Sequence, residues 1–257
     1  MPEGDTVHRT AQRLHRALSG QELTGSDFRV PQHATADLGG ETVLETVARG
    51  KHLLTRFSGG GTLHTHLKME GAWRTYRTGE RWRRPAHQAR VVLRTDTTQA
   101  VGFSLGIVEL LPTADEHTVV GHLGPDLLGP DWDSDEALRR LRQDPDRPIV
   151  EALLDQRNLA GIGNMYAAEL CFLHGILPST PVGRVERLPR LVQRAHLLLK
   201  ENVKRSLQAT TGDLREPLWV YRRDKAACRR CGTRIEVAIR DSAGRERASY
   251  WCPRCQR

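Results

Sequence analysis

The chain has 257 residues, enough for two modest hydrophobic cores rather than one extended domain. Hydrophobic residues make up 38% and charged residues 27%, with no apolar run of about eighteen residues, which excludes a helical membrane span. The formal charge is +8, and it is uneven: residues 215–257 carry 12 basic and 5 acidic side chains, a net +7, which points to a polyanion partner or a solubilising surface.

The chain starts Met1-Pro2-Glu3-Gly4-Asp5, with neither the basic nor the apolar region of a secretory signal, and the expectation is a cytoplasmic protein. Cells usually remove a methionine that precedes a small residue. Pro2 would then expose a secondary amine, a nucleophile that forms an iminium directly with a carbonyl carbon. The positive end of a following helix disfavours protonation of that amine, whereas the Glu3 carboxylate favours it. Met-Pro alone is weak evidence of chemistry.

Residues 5–19 are predicted to be a helix, because Val7, Ala11, Leu14 and Leu18 share one face and Gly20 ends the pattern. Strand signals then recur at Thr42–Val47, His52–Phe57, Thr62–Leu67, Arg90–Arg94 and Val108–Leu111, with turns such as Ser58-Gly59-Gly60-Gly61 between them. Short strands at this spacing predict a β-sandwich or barrel over residues 1–111. His64 and His66 would share a strand face, more in keeping with hydrogen-bonded histidines than with a second metal site.

Residues 112–148 are rich in Pro, Gly and Asp, with 9 acidic and 4 basic side chains, and read as a linker. A helical domain over 149–218 follows, with helices at Ile149–Asp155, Asn164–His174 and Leu188–Ser206. Cys171 falls inside an apolar helical pattern and is expected in the core. Between the first two helices, Leu159-Ala160-Gly161-Ile162-Gly163-Asn164 puts glycines ahead of a helix start, where backbone amides can face a phosphate, although an ordinary tight turn fits as well.

The last segment, 219–257, holds Cys228-x2-Cys231-x20-Cys252-x2-Cys255. Two Cys-x-x-Cys knuckles supply four thiolates, the donor set of one structural zinc ion. Between them Ile235, Val237 and Ile239 alternate, Asp241-Ser242-Ala243-Gly244 turns, and 247–251 returns as a hairpin carrying Arg245 and Arg247 near its tip.

Taken together, these segments resemble the formamidopyrimidine-DNA glycosylase/endonuclease VIII family. The resemblance rests on residues 2–6, Arg49-Gly50-Lys51-His52-Leu53-Leu54, His66-Leu67-Lys68-Met69-Glu70-Gly71-Ala72-Trp73, and the stretch from Leu154 to Glu169. It extends through Trp219-Val220-Tyr221 and Arg247 to Gln256. It implies an α+β fold: an N-terminal β-sandwich with flanking helices, a helix–two-turn–helix domain, and a four-cysteine zinc-finger β-hairpin. The implied activity is base excision repair by a DNA glycosylase with abasic-site lyase activity on damaged DNA, whether duplex, bubble or single-stranded; a monomer is the default expectation.

The same resemblance implies roles for individual residues. Pro2 would attack the sugar, Glu3 would serve as acid and base at its ring oxygen, and Lys51 would contact phosphate or assist proton transfers. Arg247 would grip phosphate for the second elimination. Asn164 and Gly163 would hold the phosphate beside the lesion, Met69 would fill the gap left by the everted base, and Lys68 and His122 would contact DNA.

Three departures from the family pattern stand out, the first bearing on substrate and the other two on the hinge or on contacts to DNA. Gly102-Phe103-Ser104-Leu105-Gly106 replaces the Pro-Arg-Arg-Phe-Gly loop of the 8-oxoguanine branch. With Gly4-Asp5-Thr6 and Trp73, this favours the endonuclease VIII branch and oxidised pyrimidines. Tyr221-Arg222-Arg223 stands where many members have Tyr-Gly-Arg, and His122 where some have arginine. A non-catalytic lesion binder is the alternative function, and a zinc-ribbon RNA-binding protein a third.

Overall fold

Apolar residues every three to four positions make the first helix amphipathic, and that face is what it buries. Helix α1 (Gly4–Leu18) buries Val7, Ala11, Leu14 and Leu18, and Gly20 beyond its end takes a φ of +76°. The computed structural model describes residues 2–241 and 246–257, with backbone alone at 240, 241 and 246. The predicted hairpin tip, residues 242–244 with Arg245, lies outside the described residues.

Strands β1 (Gly25–Phe28), β2 (Val43–Arg49), β3 (His52–Phe57), β4 (Gly61–His66), β5 (Ala72–Arg77), β6 (Ala89–Arg94), β7 (Thr98–Phe103) and β8 (Ile107–Pro112) follow. They pair antiparallel into two four-stranded sheets, ordered β1-β6-β7-β5 and β2-β3-β4-β8. Inward residues of both sheets, among them Val43, Leu53, Phe57, Leu63, Trp73, Val91 and Leu93, share one core with α1. This is the expected sandwich. Strand β7 is not among the segments singled out above, since Gly102 interrupts its apolar run. A Cβ at that position would come within 2.5 Å of Leu105 Cδ1, so packing requires the glycine.

The chain divides into two compact units, Met1–His122 and Leu123–Arg257. Residues 112–148, read above as a linker, contain helices belonging to both. Helix α2 (Glu116–Val120) is tied to the first unit by Arg56, whose Nε and Nη2 donate to Glu116 at 2.8 and 2.7 Å. Helix α3 (Ser134–Leu141) is capped by Asp133, which accepts from the Asp135 and Glu136 amides, and it buries Ala137, Leu138 and Leu141 in the second unit. The acidic residues of this stretch thus serve as a helix cap and an ion pair.

Helices α4 (Ile149–Leu154), α5 (Asn164–His174) and α6 (Leu188–Val203) build the second core. Cys171 lies within it, fully buried, as expected. Helix α6 stops short of Ser206 because the buried Asn202 side chain bonds both the amide and the carbonyl of Ala209, turning the chain back. Strands β9 (Glu236–Asp241) and β10 (Glu246–Trp251) form an antiparallel ribbon. The alternation at 235–239 exists, but only Ile235 is buried; Val237 and Ile239 are 41% and 69% exposed, because this two-stranded ribbon is not the face of a layered core.

Candidate active site and metal centre

In the first unit, α1 runs antiparallel to the edge strand β2. Ser19 Oγ donates to the Leu44 carbonyl at 2.7 Å, and His15 Nδ1 accepts from the Thr46 amide at 3.3 Å. A helix rises about 1.5 Å and a strand about 3.3 Å per residue, so the start of α1 falls level with the β2–β3 turn. Pro2 and Glu3 therefore lie at the end of the sandwich that carries Lys51. Glu3 is fully buried and Pro2 half-buried.

The turn itself is two residues long. Arg49 pairs with His52 across it, and Gly50 takes a φ of +58°, the conformation that a tight hairpin demands and glycine supplies.

The loop after β4 meets the same end. The Lys68 amide donates to His66 Nδ1 at 2.9 Å, with Lys68 in the left-handed region at φ +51°. Gly106 makes room for the Lys68 stem, since a Cβ there would stand 2.1 Å from Lys68 Cγ. Met69 is 59% exposed, outside the core. His122 is exposed, with its ring 6.3 Å from that of His52.

His64 and His66 are both hydrogen-bonded, though not to one another. His64 Nε2 lies 2.8 Å from His52 Nδ1, and His64 Nδ1 lies 2.8 Å from Glu109 Oε2. His52 and Glu109 are the two members of this cluster that sequence reasoning did not select. The signal existed in the register, which sets His52 opposite His66 and His64 opposite Glu109, but register is a property of paired strands. Burial and the neighbouring His66, His64, His122 and Lys68 push His52 down to about 3. Burial, Lys68 and Lys51 do the same to His66.

In the second unit, the α4–α5 connection is held by its own side chains. Gln156 Nε2 donates to the Leu154 and Ile162 carbonyls, each at 2.9 Å, and Gln156 Oε1 accepts from the Gly161 amide at 3.0 Å. Asp155 bonds Arg147 and Arg157, which hold its carboxyl well below the usual range. Gly163 caps α5 in an extended conformation, and Asn164 Nδ2 donates to the Ala248 carbonyl at 2.8 Å. Because Ala248 follows Arg247 on β10, the start of α5 and the Arg247 segment are brought together.

Glu169 on α5 carries no sequence signal that sets it apart. Fully buried, its carboxylate accepts from the Trp219, Val220 and Tyr221 amides at 2.8, 2.8 and 2.9 Å and from the Thr210 hydroxyl. It anchors the stretch that leads into the cysteine segment.

The Sγ atoms of Cys228, Cys231, Cys252 and Cys255 all lie within 4.8 Å of one another. The Cys228–Cys255 and Cys231–Cys252 separations are 3.9 and 3.4 Å, near the ~3.8 Å that four bonds of about 2.3 Å to a tetrahedral ion require. The donor set therefore fits one zinc ion. Gln256 fixes the second knuckle, accepting from the Cys252 amide at 2.8 Å and donating to the Ile176 carbonyl at 2.7 Å. Among the described residues no other cluster of three or more ligating side chains has metal-binding geometry.

Comparison with known proteins identifies the family and the fold. Residues 1–104 match the family model of the formamidopyrimidine-DNA glycosylase N-terminal domain, and residues 123–213 match that of the formamidopyrimidine-DNA glycosylase H2TH domain. The chain is 55% identical over 259 residues to a Streptomyces coelicolor protein named "Probable endonuclease 8 2", covering 100% of this chain and 94% of the relative. It is 50% identical over 258 residues to the Mycolicibacterium smegmatis "DNA-(apurinic or apyrimidinic site) lyase Nei2", covering 100% and 99%. The solved complex between the Lactococcus lactis Fpg and DNA containing an abasic site shares the fold, with a TM-score of 0.80 at 24% identity over 99% of each chain.

Proposed function

Because this chain belongs to the formamidopyrimidine-DNA glycosylase/endonuclease VIII family, we propose that it is a bifunctional DNA glycosylase and abasic-site lyase of base excision repair, with oxidised pyrimidines as its base substrates. What supports the catalytic reading is the antiparallel run of α1 along β2, from which the helix start, with Pro2 and Glu3, is expected level with the β2–β3 turn and Lys51. Its partner is damaged DNA.

With Met1 removed, the Pro2 nitrogen attacks C1′ of the everted nucleotide. The bond from C1′ to the base breaks, the base leaves with the electron pair, and the proton that the nitrogen sheds on attack goes to the departing base. Glu3 protonates the sugar ring oxygen as the ring opens, and the nitrogen lone pair completes an iminium at C1′. Loss of a C2′ proton then delivers electrons toward the iminium, and the 3′ phosphate is expelled. Lys51 supports the phosphate, and Arg247 binds it bidentately for the second elimination. Asn164 and the Gly163 turn hold the backbone beside the lesion at the positive end of α5. Met69 fills the vacated stack, with Lys68 and His122 contacting the strand nearby.

Zinc held by Cys228, Cys231, Cys252 and Cys255 would keep the Arg247 hairpin folded and takes no part in bond making. The absence of the paired arginines from Gly102 to Gly106 supports pyrimidine over 8-oxoguanine substrates.

The test is incision of duplexes carrying one thymine glycol or one 8-oxoguanine. Faster cleavage at thymine glycol, abolished in Pro2→Gly, is expected. Equal or preferential cleavage at 8-oxoguanine would reject the substrate assignment, and full activity in Pro2→Gly would reject the nucleophile.

A further inference from the structure

Strands β3, β4 and β8 line up three side chains whose donor and acceptor roles are determined by their order. A carboxylate only accepts, so His64 Nδ1 donates to Glu109 across their 2.8 Å contact. In a neutral His64 ring, Nε2 is then the acceptor, and it takes the Nδ1 proton of His52 at 2.8 Å. That leaves His52 Nε2 as an unprotonated nitrogen. It belongs to the residue after Lys51, at the end of the sandwich that carries Pro2 and Glu3.

Its surroundings are basic. The His66 ring stands edge-on at 5.0 Å, the His122 ring at 6.3 Å, Lys68 lies close by, and Arg49 is its partner on β2. His66 Nδ1 is occupied by the Lys68 amide, so the neutral His66 ring carries its proton on Nε2. Glu109 is 48% exposed while His64 is 2% exposed, so the chain runs from solvent into the sheet face, toward the His122 and Lys68 side of His52.

We propose that Glu109, His64 and His52 form a proton relay that makes His52 Nε2 the acceptor of the C2′ proton in the lyase step. The proposal rests on the lyase reading given above. The C2′–H bond breaks and its electron pair forms the C1′=C2′ bond, while the iminium π pair returns to the Pro2 nitrogen. The proton binds His52 Nε2, directly or across one water. The His52 Nδ1 proton passes to His64 Nε2, and the positive charge rests on His64 against the Glu109 carboxylate. His52 ends neutral, with its proton on the opposite nitrogen. Reversal of the same two transfers resets the site without a ring flip. Such an arrangement solves a specific difficulty: a half-buried imidazole among Lys68, His66 and His122 is a poor place for a positive charge, and the relay moves that charge to the ring with an anion beside it.

The experiment follows single-turnover cleavage of an oligonucleotide with one abasic site, alongside borohydride trapping of the covalent intermediate, for the wild type, His52→Ala and Glu109→Gln. Both variants are expected to trap DNA as the wild type does, which also verifies their fold. His52→Ala should eliminate about 100-fold more slowly and recover with added imidazole. Glu109→Gln, which can still hold the His64 N–H but leaves an imidazolium uncompensated, should lose about tenfold. Wild-type elimination rates in either variant, a loss in His52→Ala that imidazole does not restore, or a parallel loss of trapping would overturn the relay. Failure of the wild type to trap would instead count against Pro2. Imidazole rescue would still decide the relay, because every β-elimination must remove the C2′ proton.

Discussion

Arg222 shows how one substitution in a family pattern acquires a physical meaning. It sits at φ +56°, where a side chain is strained and glycine is not, and its guanidinium lies 5.5 Å over the Tyr221 ring. The left-handed backbone accounts for the glycine that many members carry there. Relief of strain (about 1–2 kcal/mol) outweighs the added freedom of the unfolded chain (about 0.4–1 kcal/mol), so Arg222→Gly is expected to stabilise by about 0.5 kcal/mol. Thermal melts check this; a lower midpoint would mean that the Tyr221 contact outweighs the strain. Met69 offers a second test at this scale. An exposed side chain contributes little to folding, so Met69→Ala should melt within about 0.5 kcal/mol of the wild type. Excision from duplex should nevertheless slow about tenfold while abasic single strands are cleaved normally, since only the duplex leaves a gap to fill. Equal slowing on both substrates would contradict the wedge.

At the scale of elements, what is local in sequence was legible. Helix α5 begins and ends where its apolar pattern does, α1 is displaced by one residue, and the cysteines met as their spacing requires. What depends on partners was not. Glu169 reads as one more polar residue on α5, yet it accepts three consecutive amides from a strand of chain fifty residues away. The Glu109–His64–His52 alignment spans three strands, and no single stretch of sequence displays it. In α3 the acidic residues that signalled a linker are its cap and first turn. Glu169→Ala is expected to destabilise the chain by about 3 kcal/mol, because two buried amides and a half-buried one lose a charged acceptor. A chemical-denaturation midpoint unchanged by this substitution would contradict that anchoring role. Chelation of zinc should likewise unfold the hairpin and weaken DNA binding, and unchanged binding after verified metal loss would contradict the role given to Arg247.

At the scale of the molecule, the charge excess and the histidine cluster predict how solution conditions act. His52 and His66 are both held down to about 3 in the folded chain, whereas an unfolded histidine titrates near 6.5. The folded state therefore binds fewer protons. Their stabilising contribution is complete above about pH 6.5 and is lost as pH falls toward 3, at up to about 1.4 kcal/mol per pH unit for each residue. Urea titrations across that window should show the slope, and His52→Gln should reduce it; an unchanged slope would contradict the burial of a neutral His52. The basic C-terminal segment predicts DNA affinity that falls steeply with salt. None of these measurements separates a lyase from a lesion binder, because both would bind DNA through the same charges. Borohydride trapping on a single abasic site does, followed by peptide mapping of the adduct. A covalent link to Pro2 that is lost when the amine is blocked is expected. A chain with a free Pro2 that binds this DNA yet yields no adduct would contradict it.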